Sequence, residues 1–204
     1  MLTVHSLAYS RAMRIVWLLE EIGHPYEVVR YERTEAYRAP PQLKTIHPLG
    51  KSPVIVDGDL TLGESAAILR YIDGRYGDGR FSPPVGSNDA ALHDEWLDYA
   101  EGTLARPIAA AFWAKRNGTD LEPRMGEELG THFHYLTGSL EDRPYLMGQA
   151  LTLADIQLSY LLAMAELSGV VGDWPVVTDY WHRLRETPAL KRALQKTGPI
   201  MPAA

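Results

Sequence analysis

A cluster of structure-breaking residues divides this chain into two stretches with different hydrophobic periods. Gly74, Gly77, Gly79, Pro83, Pro84 and Gly86 crowd between positions 74 and 88, a linker composition. Before the break, strand-like and helix-like runs alternate. Residues 2–6 read as a short strand. Ile15, Leu18, Leu19 and Ile22 then recur at i, i+3, i+4 and i+7, which predicts a helix over 11–23 closed by Gly23. Residues 26–31 are β-branched and aromatic and read as a second strand. A polar segment containing Pro40-Pro41 follows, with a helical turn near 42–46. Residues 54–57 and 60–62 flank Gly58-Asp59, a hairpin signal, and Ser65, Ile68, Leu69 and Ile72 open the next helix. Beyond the break strand signals stop. Residues 89–117, 121–141, 152–168 and 175–197 carry helical periodicities interrupted at Gly118, Pro144/Gly148 and Gly169–Gly172, the pattern of a helical bundle. The expected architecture is an α/β domain over 1–77, a linker over 78–88 and an all-helical domain over 89–204.

Charge and composition narrow the function classes. Residues 1–80 hold ten Lys/Arg and ten Asp/Glu, while residues 81–204 hold ten and sixteen and carry the whole net charge of −6. An acidic helical half with no basic stripe argues against a nucleic-acid partner. No apolar run approaches the ~20 residues of a membrane span, and the start of the chain lacks the basic and apolar regions of a secretory signal, so a cytoplasmic protein with no membrane partner is expected. Cysteine is absent, so any thiol chemistry must use a sulfur supplied by the ligand. His132 and His134 are two residues apart and fall on different faces of a helix, and no metal site is assigned.

Two short segments carry the chemistry. His47-Pro48-Leu49-Gly50-Lys51-Ser52-Pro53 is a turn that delivers a proline to the mouth of the apolar run at Val54, where a missing N–H is tolerated. Glu64-Ser65 opens a helix, where free N–H groups and the dipole favour an anion. Together they suit a small polar ligand with carboxylates. In the second half, Thr152-Leu153-Ala154-Asp155 fits the N-terminal capping pattern, with Leu151 and Ile156 as its staple, so Asp155 is read as structural.

On these residues the chain resembles the glutathione transferase superfamily. The carriers are Ser10-Arg11 leading into Arg14-Ile15-Val16-Trp17-Leu18-Leu19-Glu20-Glu21, then His47 to Val54, Glu64-Ser65 and Thr152 to Asp155. The segment from Arg38 to Lys44 adds a resemblance to the bacterial and fungal branch. The resemblance implies a thioredoxin-like N-terminal domain, an all-helical C-terminal domain and a homodimer. It implies glutathione as co-substrate, a small apolar electrophile as its partner in the reaction, and a role in detoxification.

The resemblance also implies residue roles. Pro53 is the cis proline, Val54 pairs its main chain with the cysteinyl backbone of glutathione, Ser65 takes the γ-glutamyl carboxylate, Glu64 sits by the γ-glutamyl ammonium and Lys51 faces the glycyl carboxylate. The thiolate donor lies between the first strand and the first helix, where Ser10 ranks first and Tyr9 second, with Arg11 or a main-chain N–H as further sources. Tyr99, Arg106 and Trp113 on the first bundle helix would border the electrophile. Two other readings remain open: a non-catalytic binding module of the same fold, and a glutathione-dependent isomerase, dehalogenase or peroxidase.

Overall fold

The computed structural model describes residues 1–140 and 142–202; the expected helix end at 141 and domain end at 204 lie outside the described residues. The chain forms two compact units. The first runs from Met1 to Arg80 and also takes in residues 186–202; the second is Phe81–Arg185.

In the first unit, β1 (Leu2–Leu7), α1 (Ala12–Ile22) and β2 (Tyr26–Tyr31) make a βαβ crossover, with β1 and β2 parallel. After the short α2 (Leu43–Ile46), β3 (Val54–Asp57) and β4 (Leu60–Gly63) form a hairpin around Gly58, whose φ of 59° needs no Cβ. The sheet order is β2-β1-β3-β4, with β3 antiparallel to both neighbours, the thioredoxin-like arrangement. The next helix, α3 (Ser65–Tyr76), continues through Gly74, so the linker starts later than its glycines suggest.

The expected stripe on α1 is only part of its buried surface. Every residue from Ala12 to Leu19 is buried, Arg14 and Trp17 included. The reason is α9 (Pro188–Thr197), which packs on α1 and covers what would otherwise face solvent. The sequence reading placed residues 175–197 in one helix of the second domain. Instead α8 (Pro175–Arg185) stops at the boundary, because Pro188 lacks an N–H and holds Thr187 extended at ψ 134°. The chain then returns to the first unit, where Ala189, Leu190, Ala193 and Thr197 bury one helical stripe.

The second unit is helical. Ser87 caps α4 (Asn88–Tyr99), accepting from the Ala90 N–H over 3.1 Å. A π-helical turn at Ala100–Leu104 separates it from α5 (Ala105–Asn117), where one continuous α-helix was expected; Gly102 and Thr103 are weak helix formers at that point. Helix α6 (Pro123–Leu140) and α7 (Leu153–Ser168) follow. Leu153 to Ala165 are all buried, as befits a central helix that is apolar all round. Asp155 at its start is fully buried. It accepts from the Leu146 and Thr152 N–H groups (2.9 and 2.8 Å) and the Thr152 and Tyr180 hydroxyls (2.9 and 2.7 Å), the structural role read from the sequence. Among the described residues no helix is long and apolar enough to cross a membrane.

Candidate functional site

Three segments distant in sequence meet in the first unit. The first is the turn after β1. Tyr9 adopts φ 56°, a left-handed conformation uncommon for a side chain of this size. Arg33 holds the turn there, donating from Nε to the Ala8 carbonyl (3.0 Å) and from Nη2 to the Tyr9 carbonyl (3.1 Å). Its third donor reaches the Tyr37 carbonyl (3.1 Å), and its guanidinium lies over the Tyr37 ring, on which Tyr9 stacks. Ser10 follows, its Oγ accepting from the Ala12 N–H over 3.3 Å at the start of α1.

The second segment carries the Ser52–Pro53 bond, which is cis. Ser52 Oγ accepts from the Leu7 N–H and donates to the His5 carbonyl, both over 3.0 Å, and it lies 3.1 Å from Ser10 Oγ. Ser52 has one hydroxyl proton, and His5 takes it. Ser10 is therefore the donor in the Ser10–Ser52 bond. Burial lowers the pKa of His5, and its Nδ1 meets the Tyr31 hydroxyl at 2.8 Å.

The third segment is the start of α3. Glu64 sits at φ 66°, ψ 115°, outside the common regions, and its side chain is exposed. Such a conformation costs of order 1–3 kcal/mol and collects at ligand sites. Ser65 is buried beside it, and Arg14 Nη1 donates to Ser65 Oγ over 3.2 Å.

Most of the expected ligand residues thus gather around one end of the sheet. Lys51 is exposed on the loop before Pro53, which is buried. Val54 does not take its expected place. It is paired with His5 on one side and Gly63 on the other, in an inner strand, so its main chain faces the sheet rather than a ligand. Strand addition needs an open edge, and Ser52 lies just outside the ladder.

The residues expected around the electrophile lie in the second unit and are not drawn to one point within it. The Tyr99 hydroxyl meets His132 Nδ1 on α6 at 2.9 Å, its ring packs edge-on against Trp96, and burial raises its pKa. Arg106 and Trp113 are exposed two turns apart on α5. Among the described residues no group of three or more His, Asp or Glu side chains is placed to hold a metal ion.

Arg14, Arg33 and Ser52 were named by no functional argument from the sequence. Arg14 had a signal, since it falls four residues before Leu18 on the apolar stripe, where a charge is out of place. Ser52 lay inside the motif unremarked. Arg33 had no signal, because its partners are main-chain carbonyls.

Residues 2–74 match the model of the glutathione S-transferase N-terminal domain, and residues 104–188 that of the C-terminal domain. Glutathione S-transferase 3 of Schizosaccharomyces pombe is 31% identical over 182 residues, covering 81% of this chain and 75% of its own. The chain belongs to the glutathione transferase superfamily. Glutathione S-transferase 1 of Saccharomyces cerevisiae is another relative, 32% identical over 189 residues and covering 79% and 80% of the two chains. Among solved structures, a glutathione S-transferase from Actinobacillus pleuropneumoniae superposes with a TM-score of 0.86 at 34% identity, over 97% of this chain and 93% of that one. A family member from Pseudomonas fluorescens, solved with two glutathione bound, is 25% identical with a TM-score of 0.77, over 95% and 92%. The superfamily's two-part architecture accounts for the break between the two hydrophobic periods.

Proposed function

We propose that this chain is a glutathione transferase that binds glutathione on its first unit and ionises its thiol for attack on a small apolar electrophile. One observation supports the reading most. The Ser10–Ser52 bond ties the turn after β1 to the cis-proline loop, and the Arg14–Ser65 bond ties α1 to the start of α3, the segments this reading assigns to glutathione.

In this reading Ser65 and the N–H groups of α3 take the γ-glutamyl carboxylate, and Glu64 takes the ammonium. Lys51 faces the glycyl carboxylate, and the main chain of Ser52 meets the cysteinyl backbone. Ser10 turns its proton from Ser52 to the sulfur, which stabilises the thiolate. The thiolate then forms a carbon–sulfur bond to the electrophile, whose leaving group or displaced electron pair takes up the negative charge. The protein acts as a cytoplasmic homodimer in detoxification.

Titrating the thiolate absorbance of bound glutathione in Ser10→Ala and Tyr9→Phe tests the reading. Ser10→Ala should keep glutathione affinity, raise the thiol pKa and lower kcat/KM near pH 7 by on the order of tenfold. Tyr9→Phe should change little. The reverse pattern moves the donor to Tyr9, and full activity in both moves it to Arg11 or a main-chain N–H. A wild-type protein that binds glutathione yet turns over no panel of aryl halides, peroxides and other electrophiles is a binding module instead.

A further inference from the structure

Arg14 has no part in the reaction as described, yet its guanidinium is fully buried on a helix flanked by Met13, Ile15, Val16 and Trp17. Burying a cation is costly unless its donors are used, so its orientation matters. Its Nη1 donates to Ser65 Oγ over 3.2 Å, and that bond is itself buried. A guanidinium has five N–H donors and no acceptor. Ser65 therefore receives this bond through an oxygen lone pair, and its one proton cannot be directed back at Arg14. Ser65 is also the first residue of α3, where the helix's leading N–H groups have no partner in the helix and likewise only donate. With donors behind it and beside it, the hydroxyl is left to donate outward.

We propose that Arg14 is a positioning residue for substrate choice. By donating to Ser65 it fixes that hydroxyl as an outward donor, so the site prefers the γ-glutamyl carboxylate over the corresponding neutral carboxamide. The proposal rests on the glutathione reading above. A carboxylate accepts charge-assisted bonds from every group on such a lining, whereas the NH2 of a carboxamide meets donors and no acceptor. Arg14 thereby makes Ser65 selective as well as adhesive.

The test is calorimetry and steady-state kinetics with glutathione and its γ-glutamyl α-carboxamide analogue. Wild type should prefer the carboxylate by on the order of tenfold or more. In Arg14→Met the Ser65 hydroxyl can turn and accept, so the preference should fall to about two- to threefold. Glutathione KM should rise while kcat at saturation is retained. Arg14→Lys, which keeps a donor, should restore most of the preference. In a Ser65→Ala background Arg14→Met should no longer alter the preference, because Arg14 acts through that hydroxyl.

If Arg14→Met does not fold, Ser65→Ala alone decides, since it should weaken glutathione more than the carboxamide. An equal loss for both ligands in Ser65→Ala, or an undiminished preference in folded Arg14→Met, overturns the proposal. Equal binding of both ligands by wild type overturns it too while leaving the glutathione reading intact. Binding of neither overturns both.

Discussion

Replacing Glu20 by Gln should loosen α9 at neutral pH and leave it unchanged in strong acid. The Glu20 carboxylate accepts from Arg192 Nε (2.7 Å), Lys196 Nζ (2.6 Å) and the Tyr26 hydroxyl (2.5 Å), and Arg192 Nη2 also reaches the Glu20 carbonyl (3.1 Å). Two of these partners are on α9, so one side chain of α1 ties down the returning helix. Burial alone would raise the Glu20 pKa; hydrogen bonds from Lys196, Tyr26 and Arg192 outweigh it and bring the carboxyl from 4.5 to about 2. At ~1.36 kcal/mol per unit that is a ceiling of about 3.4 kcal/mol. Arg192 and Lys196 are each 48% exposed, although Glu20 is only 11% exposed. Solvent screening therefore brings the contribution down to about 1–2 kcal/mol.

The sign follows from the depressed value. A carboxyl that ionises more readily in the folded state stabilises it above the unfolded pKa of 4.5, and that stabilisation drains away as pH falls towards about 2. Hydrogen exchange of the α9 amides, residues 188–197, reads the effect locally and does not need whole-chain two-state unfolding. Glu20→Gln should speed their exchange by about 5–30-fold at pH 7 after correction for intrinsic rates. The ratio to wild type should shrink steadily below pH 4.5. A ratio that stays constant down to pH 2.5, or none at pH 7, would refute the clamp.

Two further outcomes are expected. Ser65→Ala should weaken glutathione binding by ~1.5–3 kcal/mol in a folded protein, through loss of a charge-assisted hydrogen bond, and calorimetry showing unchanged affinity would remove Ser65 from the site. Light scattering at micromolar concentration should give twice the chain mass of 22.8 kDa, as a homodimer requires; a value near 22.8 kDa itself would rule the dimer out.

The elements of both units were legible because their signals are local. Gly23 closes α1 at φ 79° where the apolar stripe ends, and Gly58 turns the β3–β4 hairpin. The destination of α9 was not legible. Its stripe of Ala189, Leu190, Ala193 and Thr197 says that one face is buried but not against what, and the answer lies in Glu20, more than 160 residues away. Val54 was misread for a similar reason. Its hydrophobic run marks a strand, but only the pairing with both β1 and β4 shows that its main chain faces inward. Arg14 and Ser52 belong to the same class, since each works through a partner that no local pattern names.

Ser10 shows how far a motif stops short of a mechanism. Its place between β1 and α1 could be read from the sequence, but the strength of its effect depends on Ser52. In the proposed reading, because Ser52 gives its proton to the His5 carbonyl, Ser10 must break its own bond to Ser52 before it can serve the sulfur. The gain is then a charge-assisted bond of ~1.5–3 kcal/mol less a neutral one of ~0.5–1.5 kcal/mol, a difference of about 1–1.5 kcal/mol. That lowers the thiol pKa by about one unit, from ~8.5 to ~7.5, and raises the thiolate fraction at pH 7 from about 3% to about 24%. A single hydroxyl in this setting accounts for roughly one order of magnitude in rate. Any acceleration at pH 7 well beyond that must come from groups that do not exchange a bond to act.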